Sequence, residues 1–182
     1  MPADTFDDFV KQRTAQANET VEEVDWEKTR ATWLRELGCL YDCMEAYLKS
    51  YTDSGLIRIE RHPVQLTEDY LGTYDAEKLT LFIGNDKVVA EPIGTLLIGS
   101  RGRVDLSGTR KTLRIVLLDK GGPAMKITIS AGDAPIETSS RALVRGDVDH
   151  AGWYIATRPP SATVTAFSED SFRDAIMEVS GA

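Results

Sequence analysis

Histidine and cysteine are scarce, with two of each in 182 residues. Acid–base, nucleophilic and zinc chemistry lean on these side chains, so their scarcity removes the commonest routes to an active site. No CxxC pair, HExxH or GxSxG occurs, and His62 precedes Pro63 with no nucleophile near it in sequence. Cys39 and Cys43 stand four apart in "CLYDC". On a helix that spacing holds Cβ atoms about 5–6 Å apart, against about 3.8 Å in a relaxed disulfide, so they read as free thiols. Reduced cysteines fit a cytosolic protein.

Long apolar runs are also missing, and "MPADTFDDFVKQR" is acidic where an export signal would be basic and then apolar. The expectation is a cytoplasmic chain with no membrane span. Aromatic residues are absent between Phe82 and Trp153, the stretch that holds the arginine cluster at 101–114. Nucleic-acid modules set aromatics among their cations for base stacking, which argues against nucleic acid as a partner. "GSRGR" lacks the GK[ST] ending of a phosphate loop. "RGDVDH" places Asp147, Asp149 and His150 in one turn, but no glutamate follows at calcium-loop spacing, and turn chemistry accounts for Gly146 and Asp147. No catalytic residue, metal site or cofactor is predicted.

The first fifty residues contain no glycine but Gly38 and no proline but Pro2, and their periodicity is helical. One helix is expected over Thr5–Glu23, with Phe6, Val10, Ala17, Val21 and Val24 on one stripe. A second starts at an Asp25 N-cap. Trp33, Leu37, Leu40, Met44, Tyr47 and Tyr51 recur along it at steps of three and four, and Leu34, Tyr41 and Leu48 widen the stripe. Unbroken to Tyr51, it would be about 40 Å long.

From Gly55 the texture changes to short β-branched runs separated by turns: "LIRIE", "LTLFI", "KVVAE", "TLLIG", "GRVDL", "TLRIVLL", "MKITI", "ALV", "WYIAT" and "TVTAF". Such short connections force antiparallel neighbours. Residues 132 to 150 are rich in small and polar side chains and read as a loop. A short helix closes the chain, N-capped by Ser168 and burying Phe172, Ala175, Ile176 and Val179. The predicted fold is a single α+β domain over 1–182. It has an N-terminal helical pair (1–52) packed on an antiparallel β-meander or partly open barrel (55–167), and a C-terminal helix (168–180).

Charge is uneven within a net of −8: residues 1–91 hold 19 acids and 10 bases, residues 92–182 hold 10 and 11. "IGSRGRVDLSGTRKTLRIV" concentrates the cations. A two-residue turn at Ser107–Gly108 would put Arg101, Arg103, Arg110 and Arg114 on one face with Asp105, setting Asp105 against Arg110 and Arg101 against Arg114. Like charges placed opposite one another are unfavourable, so something negative is expected there. It would be the chain's own Glu22, Glu23, Asp25, Glu27 or Glu36, an acidic partner, or a small anion.

Three functions follow as expectations. The first is a non-catalytic protein-binding module of adaptor, immunity or antitoxin type, whose acidity speeds encounter with a basic partner. The second is a barrel that binds a small anionic ligand, or acts on one, through the four arginines. The third is a homo-oligomer built on the long helix, with Trp33, Tyr41 and Tyr47 as contact residues in place of a sheet cover.

Overall fold

The computed structural model describes residues 25–95, 100–129, 137–142, 144–157 and 163–181. The helix expected over Thr5–Glu23 lies outside them, as do four of the five residues of "TLLIG".

Helix α1 runs Trp26–Tyr47 and starts where the sequence places it, with the Asp25 carboxylate accepting the Lys28 N–H at 3.0 Å. It buries Trp33, Leu37, Leu40, Tyr41 and Met44. The expected continuous helix to Tyr51 is broken at Leu48, whose N–H turns back to the Glu45 carbonyl three residues away. A one-turn helix α2, Lys49–Asp53, follows. The 22 residues of α1 span about 33 Å. The bend keeps Leu48 in the core and leaves Tyr51 at the surface.

Among the described residues nine strands follow: β1 Ile57–Glu68, β2 Gly72–Ile83, β3 Asp86–Gly94, β4 Gly102–Ser107, β5 Thr112–Leu118, β6 Ala124–Ile129, β7 Glu137–Ala142, β8 Gly152–Ala156 and β9 Val164–Ala166. Seven form one sheet in the order β1-β2-β3-β4-β5-β8-β9, antiparallel throughout, and β6 pairs with β7 apart from it. β1 and β9 are its two edges, so the barrel alternative gives way to an open sheet. β1 and β2 form a ladder from Ile57↔Ile83 to Glu68↔Gly72, far longer than the five-residue strands legible in sequence. Pro63 masked the extension, and an edge strand is where proline is tolerated.

Helix α3, Glu169–Ser180, is capped by Ser168 as expected. It shares the main core with α1 on one face of the sheet: Trp33, Leu40 and Met44 meet Leu79, Leu81, Val104, Leu106 and Ile115, with Phe172 and Val179 of α3 beside them. A smaller cluster of Leu118, Val148, Tyr154, Ala156 and Val164 lies apart from it. In β5, Leu113 and Ile115 join the main core while Val116 and Leu118 join the second, so this strand is buried on both faces. Its unbroken apolar run "IVLL" is the sequence trace of that position.

Candidate functional site

The arginine hairpin forms, but in a different register. Ser107 remains in β4 opposite Thr112, and the connection is the four residues 108–111. The physical reason lies in α3, whose last carbonyls have no partner within the helix. Arg110 N–H donates to the Val179 carbonyl at 2.9 Å, the Thr109 hydroxyl donates to Ser180 at 3.1 Å, and Lys111 pairs with Glu178. Gly108 permits this approach: a Cβ there would stand 2.5 Å from the Val179 carbonyl oxygen.

The new register scatters the guanidinium groups. Arg114 lies opposite Asp105, not Arg101, and Arg110 leaves the strand for the loop. Arg103 grips Asp105 with two hydrogen bonds of 2.6 Å, replacing the expected Asp105–Arg110 pair. Arg101 pairs with Asp119 at 2.9 Å. Neither Asp25, Glu27 nor Glu36 serves any of these arginines, while Glu22 and Glu23 lie outside the described residues. Of the four, Arg103 and Arg114 share a face with Asp105 between them, and no four-arginine anion platform is assembled.

Trp26, at the start of α1, is exposed and stacks on Tyr70, whereas the later aromatic side chains of the helix face inward. Trp33 and Tyr41 are buried and Tyr47 half-buried, which takes the first two out of reach of a partner docking from solution. Trp33 packs 6.1 Å from Trp153, and its six-membered ring presses on β4 so closely that a Cβ at Gly102 would lie 2.3 Å away. The Tyr41 hydroxyl donates to the Glu77 and Ala90 carbonyls at 3.0 and 3.2 Å, beside the Leu79↔Ala90 pair where the β2–β3 ladder starts. Burial pushes this hydroxyl well above the usual tyrosine range. Tyr74 is raised likewise, by burial and then by its hydrogen bond to Glu68, which also accepts from the Thr95 N–H and hydroxyl. Arg61 ties β1 to α1 through Glu45 and Asp42 at 2.7 and 2.6 Å, and these hydrogen bonds hold its guanidinium charged.

What the side chains leave open is a groove of about 560 Å³ where α1 gives way to α2. Leu48, Ile57, Ile83 and Ile176 line it, and Tyr51 and Met177 border it at 38% and 49% exposure. Asp170, Arg173 and Asp174 of α3 complete the rim. Arg173 is fixed there by Glu169 and the Tyr47 carbonyl, at 2.5 and 2.8 Å, with its guanidinium over the Tyr51 ring. The sequence places Ile176 in the core stripe of α3 and Asp170 at the positive end of its dipole, but does not single out Met177 or Asp174. The available signal was Met177, a large apolar side chain off that stripe.

A second concavity of about 400 Å³ lies beside the first turns of α1, with Lys28, Trp33, Thr95, Arg101 and Leu117 among its walls. Among the described residues, no three His, Cys, Asp or Glu side chains gather as metal ligands would. Among the described residues, no helix is long and apolar enough to cross a membrane. No protein-family model, curated protein or solved structure matches the chain.

Proposed function

We propose that the chain is a non-catalytic module that binds another protein, and that the partner docks in the groove bounded by α1, α2, β1, β2 and α3. The observation that carries the reading is an apolar floor left open between elements that are otherwise well packed. Exposed Tyr51 and Met177 flank that floor, and Leu56, 66% exposed, precedes Ile57 of its lining. Large apolar side chains grouped at the surface are the usual mark of an interaction site, whereas scattered ones carry no meaning. Aromatic and methionine anchors are enriched at interface centres. The arginines favour this reading over the anion-binding one, because Arg101 and Arg103 are already matched by Asp119 and Asp105.

The test is affinity purification from native lysate with three baits: wild type, Met177→Asp and Arg103→Ala. The expected partner comes down with wild type and Arg103→Ala and is lost with Met177→Asp, whose position is exposed enough to accept the charge without unfolding. A partner lost with Arg103→Ala and kept with Met177→Asp moves docking to the β4–β5 face. Identical recoveries from all three baits refute the groove.

A further inference from the structure

Resting on the reading of the groove as a docking site, we infer that its occupant is an amphipathic helix of a partner protein carrying two cations one turn apart beside an aliphatic stripe. The carboxylates of α3 divide into two groups. Glu169 is paired with Arg173 and Glu178 with Lys111, whereas Asp170 and Asp174 are exposed and form no ion pair among the described residues. These two are the ones that border the groove. Four residues apart on a helix, they sit one above the other with Cβ atoms about 5–6 Å apart. Two lysines or arginines at the same spacing on an incoming helix would meet them.

The floor suits the apolar side of such a helix. Helix-in-groove recognition seats anchors from positions i, i+3, i+4 and i+7, and Leu48, Ile57, Ile83 and Ile176 provide a surface for several of them. Met177 at the border adapts its unbranched side chain to whichever anchor arrives.

Charge argues against the two occupants this chain could itself supply. Residues 1–24 hold six acids and two bases, and a second copy brings a net charge of −8 with the same two unpaired aspartates. Like charge across an interface is penalised, and this rim would repel both.

The experiment screens a displayed library of short amphipathic helical peptides against the full chain. Enriched sequences are expected to carry Lys or Arg at i and i+4 beside a Leu, Ile or Met stripe. They should bind wild type about tenfold more tightly than the Asp170→Asn/Asp174→Asn double variant, by a margin that shrinks at high salt. Enriched peptides that require Met177 but show no cation pairing, or that bind both proteins equally, overturn this inference and leave the groove as the docking site. A screen in which Met177→Asp removes no binder overturns both. A peptide of residues 1–24 that displaces the enriched peptides, or a dimer that Met177→Asp dissociates, assigns the groove to this chain's own segments and overturns the partner helix.

Discussion

Replacing Tyr41 with phenylalanine isolates one hydroxyl at the junction of α1 with the sheet. It donates to the carbonyls of Glu77 and Ala90, and Ala90 is fully buried. Losing the donor removes a hydrogen bond shared by two carbonyls, one of them on a fully buried residue, a cost of about 2 kcal/mol at neutral pH. The size of the deficit should depend on pH, with a sign fixed by the raised pKa of the folded hydroxyl. The unfolded tyrosine titrates near its ordinary value of about 10. Above that pH the unfolded state sheds a proton that the folded state retains, so wild-type stability falls by about 1.4 kcal/mol per pH unit from this group alone. Phenylalanine has no such proton. The wild-type advantage is therefore full below pH 10 and should close roughly 1.5 units above it. Tyr74 is also held neutral, but it titrates identically in both proteins and cancels. Urea unfolding followed by tryptophan fluorescence across the alkaline range measures the difference directly. An advantage that stays constant from pH 7 to 11.5, or none at pH 7, refutes the role given to the hydroxyl.

Gly102→Ala places a methyl group against the Trp33 ring and should cost about 3 kcal/mol, measured as a lowered denaturation midpoint. In the same chain Trp33→Leu should recover part of that loss, because the two sites share one contact and their effects do not add. Arg103→Ala strips Asp105 of a two-point partner that is only about one-fifth exposed, and should destabilise by about 1–2 kcal/mol. Millimolar phosphate at constant ionic strength should leave the wild-type Tm unchanged; a rise that Arg103→Ala abolishes would restore an anion site on that face. Cys39 and Cys43 are both exposed and free, so a thiol reagent should titrate both in the native protein without denaturant.

The helices were largely legible because their signals are local. Asp25 and Ser168 each stand a turn or two before an apolar helical repeat, and both cap the helices they announce. The same locality explains the failure at Leu48. Its side chain continues the helical stripe, and only the tertiary requirement to turn toward β1 ends α1 there. Strand existence was legible for "LTLFI", "KVVAE" and "TLRIVLL", where β-branched side chains face a core. It was not legible for the outer half of β1, where Pro63, Gln65 and Thr67 are exposed on an edge strand, nor for that of β2, where Tyr74 and Ala76 alone are buried.

The β4–β5 register shows why charge clusters in sequence are poor guides to charge clusters in space. "SG" is a plausible two-residue turn judged by its two residues alone, and nothing within 98–116 says that α3, some seventy residues on, will need its carbonyls covered. Once residues 108–111 take that task, Arg110 leaves the strand and Arg114 comes to face Asp105. Burial then selects for neutrality: a half-buried guanidinium is tolerated when a carboxylate matches it, as Asp105 matches Arg103. Charge remains unmatched where solvent still covers it, and on α3 that means Asp170 and Asp174 at the groove. The docking reading proposed for the groove rests on these acids and the exposed apolar side chains beside them, and agrees in sign with the net charge of −8.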